Sequence, residues 1–203
     1  MLIGLLGGCS STVTLDMPTI PVPLMEKIPA SIGLRMPAEF NNFIHDEEII
    51  GREHWTINLG NANASLFTQL FGFMFENVTV LSNADDPKLL SIDALIEPSI
   101  DAFEFSVPNQ SKTESFAVWI RYRIKVFDRT GLEVADWPVS AYGKSQTASV
   151  SGPEALERAA ILAMRDAAAL MIMKLDEATG ISTMAAAAPA AIATIEETSI
   201  ESD

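Results

Sequence analysis

The 203-residue sequence has little of what several common functions require. It contains one cysteine, two histidines and 13 basic residues against 27 acidic ones, which gives a net charge of −14. A single cysteine excludes an intrachain disulfide framework and a cysteine-rich zinc site. The shortage of basic residues argues against nucleic acid as a partner, because binding phosphates requires clustered Lys and Arg. Hydrophobic residues make up 48% of the chain, enough for a packed core, so wholesale disorder is excluded.

The motifs of common enzyme classes are also missing. The sequence has no nucleophile elbow, no phosphate-binding loop, no cluster with metal-ligand spacing and no candidate catalytic triad. His45 is followed by Asp46, Glu47 and Glu48, but adjacent side chains point in different directions, so we expect a solvated turn there and not a metal site. We therefore expect a protein that is not an enzyme, with no catalytic residue, no metal and no cofactor.

A short apolar segment opens the chain and ends at its only cysteine. Residues 1–8 are all aliphatic, methionine or glycine, and Cys9 follows, with Ser10 and Ser11 after it. The segment is much too short to span a bilayer, for which a helix needs about 20 apolar residues. It fits the end of a signal-peptide hydrophobic region instead. The alternative is a buried cysteine in an apolar first strand.

The stretch Leu6-Gly7-Gly8-Cys9 resembles the lipobox of bacterial lipoproteins, in which an aliphatic residue and two small residues precede the cysteine. The resemblance implies diacylation of the Cys9 sulfur, cleavage before Cys9 and acylation of the new amino terminus. Ser10 after the cysteine, where an aspartate would retain the protein at the inner membrane, implies a lipid-anchored protein of the outer membrane that faces the periplasm. Such signals begin with basic residues and none precedes Cys9, so we expect the natural start to lie upstream.

Composition divides the remaining chain into a tether, one domain and a tail. We expect residues 1–8 to be a signal-peptide remnant and residues 9–29 to hold the lipidated cysteine and a semi-rigid tether. The tether is predicted from its four prolines, which favour an extended backbone: Pro18, Pro21, Pro23 and Pro29. Residues 30–180 are predicted to form a single domain. Residues 181–203 are Ala-rich with four acidic and no basic residues, and we expect a disordered tail.

Within the domain, hydrophobic periodicity indicates both strands and helices. Strict alternation predicts a half-solvated strand over 116–127, and Asp128-Arg129-Thr130-Gly131 predicts a hairpin turn after it. Apolar spacing predicts a helix over 63–77, and Ser151 with Glu154 forms a capping box before a helix over 152–178. A strand over 89–107 changes phase, and we assign the change to a break at Pro98.

This order of elements predicts an α+β fold, a two-layer sandwich with a mainly antiparallel sheet and two helices packed on one face. Together with Cys9, the layout loosely resembles envelope lipoproteins of the lipopolysaccharide-assembly or transport-auxiliary type. The resemblance implies a non-catalytic accessory subunit of an outer-membrane assembly or transport complex, with an envelope protein as partner. The alternative is a periplasmic lipoprotein that binds a lipid or a small apolar ligand.

Two sets of residues are candidates for a binding site. The first is the aromatic stripe of the helix over 63–77, namely Phe67, Phe71 and Phe75. It fits core packing, a partner-facing surface or an apolar ligand groove. A large apolar cavity beneath these rings favours the ligand binder, whereas a filled core with an exposed aromatic patch favours the partner module. Gly72 in the same helix suggests the close approach of another element.

The second set is basic. Arg121, Arg123 and Lys125 alternate with core positions, so all three are expected on one face of the sheet. They lie in residues 111–150, the segment with six basic and four acidic residues in an otherwise acidic chain. One hypothesis is internal pairing with Glu133 and Asp136 or with the row Asp93, Glu97 and Asp101. The other is a docking patch for an acidic partner or for lipid head-group phosphates.

Overall fold

The structure is a computed structural model and describes residues 10–49, 53–82, 91–108, 113–147 and 150–187. Within these ranges the strands are β1 (Ser10–Thr14), β2 (Ile28–Arg35), β3 (Ile44–Ile49), β4 (Glu53–Asn58), β5 (Phe75–Leu81), β6 (Ala94–Ser106), β7 (Ser115–Asp128) and β8 (Glu133–Gln146). The helices are α1 (Ala38–Asn41), α2 (Gly60–Met74) and α3 (Gly152–Thr179), and residues 181–187 are also helical.

The strands form two sheets, which confirms the α+β class and refines the predicted sheet. A five-stranded sheet has the order β5-β2-β6-β7-β8, and a three-stranded sheet has the order β1-β4-β3. β6, β7 and β8 pair in antiparallel fashion, as predicted, but β2 pairs in parallel with both β5 and β6. The sheets are therefore mixed and not purely antiparallel.

One face of the five-stranded sheet is covered by helices. Tyr122 of β7 contacts Phe67 of α2 at 5.3 Å between ring centroids, and the backbone of Gly143 in β8 lies directly against α3. Alanines at the buried positions of α3, such as Ala159 and Ala163, permit this close approach because they project so little. The three-stranded sheet completes the layer, since Trp55 of β4 packs on Phe116.

The phase change in β6 has a different cause from the one predicted. Pro98 does not break the strand, for it pairs with Ile124 inside the β6–β7 ladder. The register shifts between Ile100 and Ala102, where Asp101 is the extra residue of a β-bulge. Pro98 is tolerated because β2 pairs with β6 only as far as Ile96, so no strand on that side needs its missing N–H.

Local signals placed the main helix correctly. The capping box of α3 is present, because the Ser151 amide donates to Glu154 Oε2 at 2.9 Å and the Glu154 amide donates to Ser151 Oγ. Gly180 ends the helix with φ of 66°. The helix predicted over 63–77 is α2 at 60–74 instead, since the chain enters β5 at Phe75.

Gly72 does not mark a close approach. A Cβ at this position would have no other atom within 4 Å, so the expectation of a tightly packed neighbour at Gly72 is wrong.

The predicted tether begins as part of the fold. Ser10–Thr14 forms β1, which pairs in parallel with β4, and Val13, Leu15 and Ile20 are buried. Burial of these apolar side chains holds the segment against the folded body, although the prolines that follow favour an extended backbone. The expected spacer over 9–29 is thus wrong for residues 10–20, while Cys9 lies outside the described residues.

Two other segments are more ordered than expected. Residues 44–49, predicted as a solvated turn around His45, form β3, which pairs with β4. The predicted disordered tail over 181–203 begins as a helix at 181–187 in which Ile181 is fully buried, so the predicted boundary at residue 180 is wrong. Residues 188–203 lie outside the described residues.

Candidate functional site

The two sides of β7 have opposite chemical character. Tyr122, Ile124 and Val126 are buried against the helices. Arg121, Arg123 and Lys125 project from the opposite side together with Trp119, and we call this side of β6, β7 and β8 the open face. The sequence prediction that the three basic residues share one face is confirmed by the burial pattern of the strand.

Arg123 is the centre of a charge cluster on the open face. Its Nε donates to both carboxylate oxygens of Asp101, at 3.0 and 2.9 Å, and its Nη2 donates to Asp101 Oδ2 at 2.6 Å. Its Nη1 donates to Asp136 on the neighbouring strand at 2.5 Å. The hydrogen bond from Arg123 holds the pKa of Asp101 below its ordinary value. The bulge in β6 brings Asp101 into this position.

Lys125 is also paired within the chain. Its Nζ lies 2.9 Å from Glu133 Oε2, and this hydrogen bond raises the pKa of Lys125 above its ordinary value. Two acids of the expected row are paired in the same way, since Glu97 of β6 accepts from Arg35 at 2.5 Å and Asp93, just before β6, pairs with Arg129. The hypothesis of internal pairing is confirmed for Arg123 and Lys125.

Arg121 differs from its two neighbours. Its side chain is 53% exposed, and its Nε lies 3.8 Å from Asp101 Oδ2, beyond hydrogen-bonding distance. Asp101 is already occupied by Arg123, so it offers Arg121 only a weak, solvent-screened attraction. Among the described residues, Arg121 is the member of the predicted basic set whose guanidinium remains accessible to another molecule.

An exposed aromatic pair lies beside Arg121. Trp119 and Tyr142 are direct cross-strand neighbours, with ring centroids 5.0 Å apart, and they are 44% and 43% exposed. Sequence reasoning did not single out this pair. The available signal was that Trp119 falls on the polar side of the alternating strand, where an apolar residue is unexpected.

The aromatic stripe of α2 does not form a surface. Phe67, Phe71 and Phe75 are fully buried, and their rings pack edge to face, with centroids 5.6 Å apart for the first two and 6.0 Å for the last two. The interpretation of these residues as a ligand or partner surface is therefore wrong, because the sheet and α2 enclose them in the core. The stripe stabilises the fold, and the exposed aromatic side chains lie elsewhere.

The proposed lipidation residue, Cys9, lies outside the described residues. β1 begins at Ser10, the next residue, and Ser10 is the register partner of His54 in β4.

The contacts of His45 are those of a residue that supports the fold. His45 Nε2 lies 3.0 Å from Glu47 Oε2, and the His45 ring packs on Phe103 and Phe105. The described ranges hold no group of three or more His, Cys, Asp or Glu side chains arranged to bind a metal ion. None of the helices in the described part of the chain is long and apolar enough to cross a membrane.

Taken together, these features define an α+β sandwich in which helices cover one side of the main sheet and the other side carries the open face. This architecture is similar to that of protein XCC0632 from Xanthomonas campestris, of the family DUF330, with a TM-score of 0.51 and 11% identity over 80% of this chain and 92% of that one. At this identity the similarity shows a shared fold. No protein-family model matches the chain, and no curated protein matches it in sequence.

Two further solved structures align at lower scores. A minor lipoprotein from Acinetobacter baumannii gives a TM-score of 0.46 and 13% identity, over 75% of this chain and 94% of that one. The hypothetical protein CT253 from Chlamydia trachomatis gives 0.43 and 9%, over 73% of this chain and 97% of that one.

Proposed function

We propose that the chain is a non-catalytic lipoprotein, anchored in the bacterial outer membrane through acyl chains on Cys9, and that it acts as an accessory subunit of an envelope assembly or transport complex. The observation that carries the proposal is the order Leu6-Gly7-Gly8-Cys9-Ser10, with a lipobox-like stretch directly before the first strand. Each acyl methylene in the bilayer contributes about 0.8 kcal/mol, and two or more chains give stable anchoring.

The position of β1 determines how close to the membrane the folded body would lie. Because β1 starts at Ser10 and no spacer intervenes, an acylated Cys9 holds the folded body directly at the membrane surface. The end of the body around Ser10 and Ser11 would face the bilayer, together with Trp55 and the first residues of α3, which line one pocket with Ser11. A partner within the membrane would then lie within reach of the sheets.

The accessory role is supported by where the aromatic residues lie. Phe67, Phe71 and Phe75 are fully buried and pack on one another in the core. Trp119 and Tyr142 are exposed side by side on the open face. Tyr and Trp are enriched at protein interfaces, so this arrangement fits a module that binds a partner protein.

One observation favours a second candidate, the binding of a small apolar ligand. The segment from Ile20 to Pro23 and the α3 residues Ala169 and Ile172 line a mostly apolar pocket of about 340 Å³. Small-molecule sites begin at roughly 300 Å³, so the pocket is near the lower limit. Titration with a fluorescent fatty acid tests it, and a saturable signal that Ile172→Ser removes would favour this candidate.

Affinity purification from membranes tests the accessory role. The chain is expressed from its natural start with a carboxyl-terminal tag, and membranes are solubilised in mild detergent. The purified complexes are then analysed by size-exclusion chromatography and by mass spectrometry. We expect a defined envelope protein to co-purify in constant ratio, and Cys9→Ala, which leaves the chain unanchored, to reduce its recovery. A chain that elutes alone at monomer size would contradict the proposal.

A further inference from the structure

We propose that the pocket between the segment Ile20–Pro23 and α3 binds a fatty-acid anion, a single alkyl chain with a carboxylate head group. The apolar walls of the pocket hold the alkyl chain, and Arg165 binds the carboxylate. The inference deepens the second candidate function, on which the existence of an apolar ligand rests.

The walls of the pocket come from two elements. The segment Ile20–Pro23 forms one wall, and Ala169 and Ile172 of α3 form the other. The lining is almost entirely apolar and encloses about 340 Å³. Pro21 and Pro23 have no N–H, so the first wall offers few backbone donors to a polar ligand. A surface of this kind favours a hydrocarbon chain.

The first wall is held in place from both sides. Before it, the carbonyl oxygen of Pro18 accepts from Gln69 Nε2 at 3.3 Å. After it, Lys27 Nζ donates to the carbonyl oxygen of Gly72 at 2.8 Å. Both contacts fix the segment to α2, so the pocket is formed in the absence of a ligand, as is usual for small-molecule sites.

Apolar side chains in and next to the pocket remain open to water. Val22, which lines it, is 70% exposed. Leu24, two residues farther along the segment, is fully exposed, and Met173 follows Ile172 on α3 and is largely exposed. Covering such side chains with an alkyl chain removes apolar surface from water, which favours binding.

Arg165 gives the pocket its charge. Of the described residues that line the pocket, Arg165 alone is charged, and its side chain is exposed. Within the described part of the chain, no carboxylate forms an ion pair or a hydrogen bond with Arg165. The wall Ile20–Pro23 is uncharged, and Asp16 and Glu26 lie beyond its two ends. The guanidinium is therefore available to an anion.

The acids on the same face of α3 are distant and engaged. By helical periodicity, Glu154 and Asp176 share this face with Arg165, but each lies about three turns away, roughly 16 Å along the axis. Glu154 accepts from the Ser151 amide in the capping box, and Asp176 accepts from the Ser182 amide and hydroxyl. Neither carboxylate neutralises the guanidinium at the pocket.

Two further acids of α3 lie nearer in the sequence but point to other partners. Asp166, the next residue, accepts from the Tyr142 amide of β8 at 3.0 Å. Glu157, about two turns before Arg165, accepts from the Asp16 amide at 3.2 Å. Neither acid lines the pocket.

Size and charge select the class of ligand. Small-molecule sites occupy roughly 300–1,000 Å³, so a pocket near the lower limit suits one alkyl chain and not the two chains of a phospholipid. The distance along α3 from Arg165 to Ile172 is about 10 Å, which suits a chain of medium length. One arginine matches the single charge of a carboxylate, which it binds through two parallel hydrogen bonds. A phosphate monoester carries about −1.5 to −2 and would require further cations.

Calorimetric titration with matched ligands tests the inference. The full chain with Cys9→Ser, which carries no acyl group, is purified, freed of bound lipid and titrated with decanoate below its micellar concentration. Decanol, with the same alkyl chain and no charge, and decyl phosphate are the comparison ligands. The variants are Arg165→Gln and Ala169→Phe, which fills the pocket. Arg158→Gln is the matched control, with the same charge change two turns earlier on the same face.

We expect one decanoate to bind per chain, and each methylene removed from the ligand to weaken binding by up to about fourfold. Arg165→Gln should weaken decanoate binding by at least about fivefold and leave decanol binding unchanged, whereas Arg158→Gln should change neither. Ala169→Phe should abolish the binding of both ligands. Circular dichroism and thermal melts verify that the variants remain folded.

Different failures lead to different conclusions. If decanoate binds Arg165→Gln as well as the parent, or decanol binds the parent as well as decanoate does, the anion assignment is overturned, while an apolar ligand site remains. Tighter binding of decyl phosphate that depends on Arg165 would overturn the choice of a carboxylate. Absence of saturable binding would overturn both the inference and the second candidate function, and would leave the accessory role, which co-purification tests, unaffected.

Discussion

The hydroxyl of Tyr122 donates a hydrogen bond to Asn63 Oδ1 at 2.8 Å, inside the core and between β7 and α2. Both residues are fully buried, and the rings of Phe40 and Phe67 pack against that of Tyr122. Burial raises the pKa of Tyr122 far above its ordinary value, so the hydroxyl keeps its proton and remains a donor. This bond fixes the helix that carries the aromatic stripe against the strand that carries the open face.

Removing this donor should destabilise the fold. Tyr122→Phe leaves the Asn63 carbonyl buried without its partner, and an unsatisfied buried polar group costs about 1–3 kcal/mol. Urea denaturation should show a lower midpoint with an unchanged slope. Tyr142→Phe, on the open face, is the control and should change stability by less than about 0.5 kcal/mol. Equal stability of Tyr122→Phe and the parent would contradict this account of the core.

Two glycines should respond in opposite directions to alanine. A Cβ at Gly143 would lie 2.0 Å from the Ala159 carbonyl oxygen and 2.4 Å from the Ala163 nitrogen, so Gly143→Ala forces α3 away from β8. We expect a loss of about 1–3 kcal/mol or more. Gly72→Ala meets open space inside α2 and should stabilise by up to about 1 kcal/mol. Thermal unfolding of the two variants measures both changes in stability. A Gly143→Ala variant as stable as the parent would contradict the close packing of β8 on α3.

The Arg123–Asp101 pair should make stability depend on acid pH. Asp101 has a lowered pKa in the folded chain, so the unfolded chain binds more protons in acid. The stabilisation is complete above the ordinary Asp pKa of about 4 and is lost as the pH falls further. As the pH falls into the acid range, the melting temperature of Asp101→Asn should therefore fall less than that of the parent. At neutral pH, Asp101→Asn should melt at a modestly lower temperature than the parent. Identical pH profiles would contradict the assignment.

The end of the folded body should lie after residue 180. Ile181 is fully buried, so truncation after Gly180 removes a core side chain, and deleting such a group costs about 2–5 kcal/mol. Truncation after Ala187 keeps Ile181 and removes a segment with four acidic residues and no basic ones. Thermal melts should show a clear decrease for the first truncation and nearly none for the second. Two equal melting temperatures would show that Ile181 contributes nothing to the core.

Local sequence signals predicted the elements that depend on short-range patterns. Strict alternation defined β7, and the capping box with Gly180 defined α3 to within a residue at each end. β1 escaped prediction because its stability comes from a parallel partner, β4, more than 40 residues away. No local pattern in Ser10–Thr14 specifies that partner, and the prolines after it suggested a tether.

The aromatic pair of the candidate site illustrates a second limit. A regular hairpin extended from the pairing of Phe127 with Glu133 would put Tyr142 on the covered side of the sheet. The register shift next to Phe127 moves β8 by one residue and brings Tyr142 opposite Trp119. A shift of one residue reverses every side chain of a strand, and sequence alone did not reveal it. The three basic residues were predictable because they depend on β7 alone.

The most direct test of the account is the chemical state of Cys9 in a protein expressed from its natural start and extracted from membranes. Mass spectrometry of the amino-terminal peptide should show Cys9 as the first residue, with a diacylglyceryl group on its sulfur and an acyl group on its amino terminus. Labelling with palmitate should be lost in Cys9→Ala. An unmodified Cys9 within a continuous chain, or equal labelling of both proteins, would contradict the central claim.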